Sequence, residues 1–317
     1  MGLPSPLSTA WTALHPTGGM REGCARRRSR AAELPWILRC RWAWAAVQSS
    51  PAPRLARAWG FTSAYVQPQL VSDIRYLAVA AGRGGTGKST LAFALADALT
   101  QRGYPDVALL DLDAQAGVTG YSGQPSAEDP LHAQPIPVLV ERPRRRGTPP
   151  SPAITLYRGG RALAHATPAA IRTHIARVAS EGSPDRVVVA DLPPALTDAS
   201  HAALFARDDV YVIGAVRAEP GTFKSLNELV ALVTRAKLPY LLIPTFVKKH
   251  ATQLSFVETI RSQHDGHVSA HTLPIDQRAI DCVMFRKPVT AWRCRATQGV
   301  QDLLDEIVGP AGEPAEA

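Results

Sequence analysis

Cysteine is scarce in this chain. Only Cys24, Cys40, Cys282 and Cys294 occur; they form no CxxC pair, and their spacing suits no zinc or iron–sulfur framework. That argues against a disulfide-stapled or cysteine-ligated fold, and reduced thiols in a cytoplasm are the default reading. Long apolar runs are missing as well. A membrane-crossing helix needs about 18 consecutive apolar residues, and the most apolar stretch near the start, 34–47, is broken by Arg39 and Arg41. Charge is also scarce where it would matter most. The net charge is +8, but ten arginines against Glu22, Glu33 and Asp73 place seven of those charges in residues 1–75. A nearly neutral remainder has no global pull on polyanions, so any nucleic-acid contact there needs a local patch.

What is present divides near residue 74. Residues 1–73 carry five of the six tryptophans, most of the excess arginine and no sustained helical or strand period. Three readings fit: a disordered basic arm, an arginine-rich targeting segment, or translated sequence ahead of the functional start. From residue 74 to 310 short apolar runs alternate with amphipathic stretches. Runs at 77–81, 107–110, 187–190, 210–215 and 241–244 read as buried strands. Stretches at 89–102, 168–181, 223–236 and 252–263 read as helices. The alternation predicts an α/β fold with a mostly parallel, doubly wound sheet, which binds ligands at the carboxyl ends of its strands. Residues 125–152 interrupt the rhythm with eight prolines and the cluster Arg142, Arg144, Arg145 and Arg146. They read as a surface excursion with at most one short extended piece, either a DNA or partner contact or a solvated loop. Residues 311–317 read as a disordered tail.

Residues 82–90 read GRGGTGKST. Gly82, Gly87, Lys88 and Ser89 satisfy GxxxxGK[ST], after an apolar strand and at the opening of a helix, which is the context a P-loop requires. Glycines at 82, 84, 85 and 87, with Thr86, let backbone N–H groups wrap phosphates, and the helix N-terminus favours their charge. Lys88 reaches the β and γ phosphates, the Ser89 hydroxyl ligates magnesium, and Thr90 continues the site. P-loop NTPase architecture, with ATP and Mg²⁺ as ligands, follows from this context.

Arg83 precedes the paired glycines at the position where the deviant Walker A proteins, the ParA/MinD family, carry a signature lysine. The resemblance continues along the body. Residues 109–115 (LLDLDAQ) resemble the family's LLIDLDPQ, and 187–194 (VVVADLPP) resemble its Walker B strand ending in D-x-P-P. Glu219-Pro220 is similar to an E-P step, and the segment from Leu273-Pro274 to Lys287-Pro288-Val289 is similar to the late IPR…KPV segment. The resemblance implies that Asp113 positions or activates the attacking water and that Asp111 and Asp191 hold magnesium through its waters. It further implies that Pro274 and Asp276 lie beside the adenine. Each aspartate could instead be a helix cap, but all three end apolar strands. Arg83 departs from the family lysine, which crosses a dimer interface to the partner's nucleotide. Dimerisation on ATP with Arg83 as a trans-acting group is the expectation; a solvent-facing Arg83 in a monomeric ATPase is the alternative. A second departure is Ile275-Asp276 in place of Arg-Asn.

The acidic end at 302–308 (DLLDEIV) lacks the basic amphipathic helix of the family's membrane-docking members, so no membrane contact is expected. Bridging cysteines of the iron–sulfur carriers are absent too. The resemblance therefore points to the partition branch: a cytoplasmic, nucleoid-associated ATPase that binds DNA nonspecifically as an ATP-bound dimer and hydrolyses ATP when a ParB-like centromere-binding adaptor stimulates it. Lys248, Lys249, Arg278, Arg286, Lys287, Arg293 and Arg295 are the candidate DNA contacts, of the phosphate-binding, sequence-independent kind. Two other classes stay open: an ATPase that positions another cargo, including the cellulose-synthesis-associated branch, and an ATP-dependent biosynthetic enzyme of related fold. The spacing of His264, His267 and His271 suits neither a helical metal pair nor a known finger.

Overall fold

The computed structural model describes residues 74–140 and 153–309. The expectations for the basic head, the Arg142–Arg146 cluster and the tail lie outside these residues. Eight strands form one sheet: β1 (Tyr76–Ala80), β2 (Val107–Asp111), β3 (Ile136–Val138), β4 (Ile154–Tyr157), β5 (Val187–Asp191), β6 (Val210–Arg217), β7 (Tyr240–Val247) and β8 (Leu273–Pro274). Their order is β3-β4-β2-β5-β1-β6-β7-β8, and every pairing is parallel except β3 with β4. Strands β1 and β2 are buried at every position, as a central parallel strand covered on both faces must be. Among its described residues the proline-rich excursion supplies one short strand, β3. Its Pro137 pairs with Thr155 at the sheet edge, where a missing backbone N–H breaks no inner ladder.

Side-chain alternation along the strands builds two cores. Leu77, Val79, Leu109, Val189 and Ile213 point to one face, where α1 (Lys88–Gln101) and α8 (Arg295–Val308) cover them. Tyr76, Ala78, Leu110, Val188 and Val212 point to the other, under α3 (Pro168–Ser180), α4 (Ala199–Leu204) and α5 (Phe223–Arg235). A smaller cluster joins Leu226, Leu242, Phe256 and Ile260 beneath α6 (Ala251–Gln263). Two further helices stand at the strand ends, α2 (Gly117–Tyr121) and α7 (Gln277–Met284). Helix α1 runs between the sheet and α8 and is buried nearly all round. Each of its large apolar side chains, such as Leu95 and Leu99, contributes roughly 1.5–3 kcal/mol by leaving water. Among the described residues no helix is long and apolar enough to cross a membrane.

Behind the second face, away from the strand carboxyl ends, Arg186 ties the sheet to α3. Its Nε donates to Asp106 at 2.9 Å and its terminal nitrogen to the Tyr157 hydroxyl at 2.9 Å; Tyr157 in turn donates to Glu181 at 2.8 Å. His174 is buried edge-on to Tyr157, with Nδ1 3.1 Å from the Arg177 guanidinium. Burial first, and then Arg177, push its pKa down to about 4, against a smaller upward pull from Glu181. Burial likewise lowers His201 to about 4. Both imidazoles are neutral in the fold, and the unfolded chain takes up their protons first as pH falls. The stability these two imidazoles contribute should therefore be complete above about pH 6.5 and drain away down to about pH 4, by up to ~3 kcal/mol per histidine. Urea midpoints measured across that window should depend on pH differently in wild type and in His174→Gln, the variant lacking the loss toward acid that His174 contributes; an unchanged slope would refute this assignment.

Candidate functional site

The loop between β1 and α1 lies at the carboxyl end of the sheet's central strand. A Cβ on Gly82 would stand 2.2 Å from the carbonyl oxygen of Ser225, so only glycine lets the loop pass the start of α5. Gly87 takes φ 86°, a left-handed conformation, and turns the chain directly into α1 without a side-chain cap. The first helical bond runs from Leu91 N–H to the Gly87 carbonyl. The N–H groups ahead of it have no helical acceptor and face the strand ends, a ready anion site. Thr245 of β7 donates its hydroxyl to the Thr86 carbonyl at 2.8 Å and pins the loop. Lys88 is buried within this cradle, while Gly84 and Gly85 are exposed at its lip.

The strand register assembles the acidic half of the site. Asp111 and Asp191 are direct partners on β2 and β5, so their side chains share the face that α1 covers. Asp111 is committed: Oδ2 accepts from the Thr119 N–H at 2.9 Å and its hydroxyl at 2.6 Å, and Oδ1 accepts from Asp113 N–H at 3.1 Å. Asp113 accepts from Gln115 N–H at 2.9 Å through Oδ1. Asp191 is different. It is fully buried, and neither carboxylate oxygen has a hydrogen-bond partner. The Ser89 hydroxyl comes near without completing a bond; both groups lie against Gly117, whose Cβ would be 2.6 Å from Ser89 Oγ and 3.9 Å from Asp191 Oδ2. Burial and then the Asp111 charge raise the pKa of Asp191, and Lys88 and Ser89 only partly offset them. Burial raises Asp111 also, against the Thr119 bonds. Such a pocket of hard oxygens calls for a cation. One bare carboxylate with an adjacent hydroxyl suits magnesium, which takes one or two protein ligands and completes its shell with water and phosphate oxygens. Among the described residues no group of three or more His, Cys, Asp or Glu could hold a metal ion alone.

Arg83 does not point freely to solvent. It pairs with Glu219 at 2.9 Å, and the same carboxylate takes Arg217 Nε at 3.0 Å. Arg217 also donates to the Gly85 carbonyl at 3.3 Å and lies 5.3 Å over the Phe246 ring. Neither Arg217 nor Phe246 stands out in the sequence. Phe246 adopts φ 55° at an irregularity between β7 and β8, a strained backbone that no local motif announces. Thr119, the partner of Asp111, was equally silent, being one threonine in a short helix.

Beside Gly87 opens a cavity of about 320 Å³ between α1, α7 and α8, lined by Thr90, Thr245, Phe246, Pro274, Ile275, Asp276 and apolar side chains of the three helices. Pro274 and Asp276 thus stand next to the phosphate loop. Asp276 also caps two helices, accepting from the N–H groups of Arg278 and Arg295 at 3.0 Å each. The candidate DNA-binding residues do not form one surface patch. Lys248, Lys249 and Arg295 line a groove that also contains Asp302; Arg278 and Arg293 line another with Arg102 and Asp281. Arg286 packs against Gly123, and Lys287 follows it in the turn after α7. Of the three histidines, His267 stacks on Tyr240 at 4.3 Å and His271 faces Asp302 at 3.6 Å.

Three solved structures illustrate the fold. A plasmid partition protein from Borrelia burgdorferi bound to AMPPNP is 18% identical and matches with TM-score 0.57 over 74% of this chain and 98% of its own. MinD from Pyrococcus horikoshii complexed with Mg-ADP is 18% identical, TM-score 0.58, over 74% and 96%. Cobyrinic acid a,c-diamide synthase from Mycobacterium smegmatis with ADP and magnesium is 21% identical, TM-score 0.52, over 67% and 92%. A search of curated proteins finds none that matches. A model of the CobQ/CobB/MinD/ParA nucleotide binding domain matches residues 77–289. That span takes in the phosphate loop and all three strand-end aspartates, and the chain belongs to the CobQ/CobB/MinD/ParA nucleotide-binding family.

Proposed function

We propose that the chain is an ATPase acting as a dimeric switch of the partition type: a cytoplasmic protein, nucleoid-associated when ATP-bound, that hydrolyses ATP slowly until an adaptor stimulates it. The observation that carries the nucleotide part is the bare, buried carboxylate of Asp191 facing Ser89 beneath an uncapped helix N-terminus. The phosphates would lie on the N–H groups of residues 82–90, with the Lys88 ammonium against the β and γ oxygens. Asp191 and Ser89 would hold magnesium, which supplies charge neutralisation at the phosphate oxygens. Asp113, fixed by Gln115 N–H, orients a water and accepts its proton as that oxygen bonds to the γ phosphorus. The bond to the β-γ bridging oxygen breaks, and ADP leaves with the electron pair. Arg83 is the group for a second protomer's nucleotide, released from Glu219 when the two phosphate loops face each other.

The partition reading, with nonspecific DNA and a ParB-like adaptor as partners, draws on the family and on the exposed cations Lys248, Lys249, Arg278 and Arg286. In the sequence, Lys287 and the Arg142–Arg146 cluster carry further positive charge. The likeness to a diamide synthase supports a second reading, ATP-dependent amide formation. ATP turnover that needs no added carboxylic acid but rises with DNA and an adaptor separates the two.

Two sets of variants test the proposal. Wild type should be retained on DNA only with ATP, and retention should fall by about 10³ between about 50 and about 200 mM salt. Lys88→Ala should lose retention and turnover, while Asp113→Ala should keep ATP-dependent retention and lose turnover by about 10²–10⁴. Retention that is equal with and without nucleotide would refute the switch. Separately, Arg83→Ala should remain monomeric with ATP in sedimentation velocity; a variant that dimerises as wild type does would remove the trans-acting role.

A further inference from the structure

We infer that the aromatic pair Phe285 and Trp292, with the arginines around it, binds the unpaired bases of a single-stranded nucleic acid; the inference rests on the DNA reading above and says how such a ligand is held. Phe285 follows the last residue of α7 and is 64% exposed, although phenylalanine is among the residue types most often buried. Its neighbour Met284 is 76% exposed. The Phe285 ring meets that of Trp292, with centroids 5.7 Å apart and planes inclined by 42°. Trp292 is half-buried: part of it packs on the core beneath α1 and α8, and part lines a groove of about 970 Å³ between the end of α1, α7 and α8. This groove is not the phosphate site. Its wall at Gln101 is the far end of α1 from Lys88, roughly 20 Å along the helix.

Cations surround the pair. Arg278 and Arg293 line the same groove, Arg286 follows Phe285 in the chain, and all three are exposed. Arg278 gives one N–H to the Arg293 carbonyl at 3.1 Å, which keeps its guanidinium beside the aromatic rings. Arg102 is spent elsewhere, on Gln301, Asp305 and the Gly309 carbonyl. Asp281 is the one acid among the described lining residues, and it already accepts from the Gln277 amide at 3.1 Å. The rest of the lining is mostly polar, with Gln101, Thr290, Thr297 and Gln301 against Ala291. The core of a protein interface is apolar and depleted in charge, which this groove is not. A polyanion that also carries flat apolar faces suits it better: phosphates go to the guanidinium groups, and a base lies on the exposed ring. Base stacking on an aromatic ring needs no particular base, because every base presents a π-face. In a duplex those faces are covered by neighbouring base pairs, so the ligand that uses both features is an unpaired strand.

The test uses the full chain with ATP and magnesium and follows fluorescence anisotropy with three labelled probes of equal length: oligothymidylate, an abasic strand with the same phosphates, and a duplex. Oligothymidylate should bind about tenfold or more tightly than the abasic strand. Phe285→Ala, at an exposed position, should weaken oligothymidylate by about 5- to 150-fold and leave the abasic strand and the duplex unchanged, while Phe285→Trp keeps the wild-type affinity. Arg293→Ala should weaken all three probes and reduce the salt slope by about one. Equal affinity for oligothymidylate and the abasic strand overturns the inference; the DNA reading then stands if the duplex is still held with ATP, and falls as well if no probe binds. A Phe285→Ala loss shared by the abasic strand overturns the inference too. So does strand binding that Phe285→Ala leaves untouched, an outcome that assigns the exposed face of Met284 and Phe285 to a protein partner instead.

Discussion

Burying a carboxylate with no donor on either oxygen is costly, by several kcal/mol for an ion left without compensation. Asp191 is such a group, and the site is arranged around that cost. Asp191 can lie beside Asp111 only because β2 and β5 run parallel in one register, and it can face Ser89 only because strand alternation turns it toward α1. Helix α1 in turn must begin at β1 without a cap, since a capping side chain would occupy the N–H groups that make the anion site. The same requirement forbids a side chain at Gly82, where the loop passes Ser225. A cation bound with phosphates would offset the carboxylate, and Lys88 offsets part of it without one. Folding stability and ligand affinity thus draw on the same few charges.

Much of this was legible in the sequence because it rests on local pattern. Central strands are unbroken apolar runs, so β1, β2, β5, β6 and β7 could be read within a residue or three of their ends, and α1, α3, α5 and α6 within a residue. Strand-end position was enough to gather Asp111, Asp113 and Asp191. Elements that take their shape from tertiary contact were not legible. β4 is four residues after an excursion, β8 is two residues long, and α7 and α8 depend on Asp276 capping both. Placement beyond a motif was also hidden: neither the contact of Arg217 with Gly85 nor the positive φ of Phe246 has a sequence signature. The gathering of the basic side chains illustrates the same limit. Lys248 and Arg278 look like members of one set in the chain, yet the end of strand β7 and helix α7 deliver them to different grooves.

The contact between Arg83 and Glu219 bears on how a cis arrangement would serve the proposed trans role. Both side chains are about a third exposed, 39% and 34%, and an ion pair in that setting contributes at most about 1 kcal/mol. Glu219 also shares its charge with Arg217, which has its own second anchor on the Gly85 carbonyl. Releasing Arg83 would leave Glu219 paired rather than stranded, so the step costs little. A lysine would make one point contact; the planar guanidinium of Arg83 can keep a bond while it forms another. The strap therefore restrains Arg83 near the phosphate loop without locking it there. In the proposed dimer that restraint would lower the entropy to be lost on meeting a second set of phosphates, so that a weak intramolecular contact would favour a strong intermolecular one.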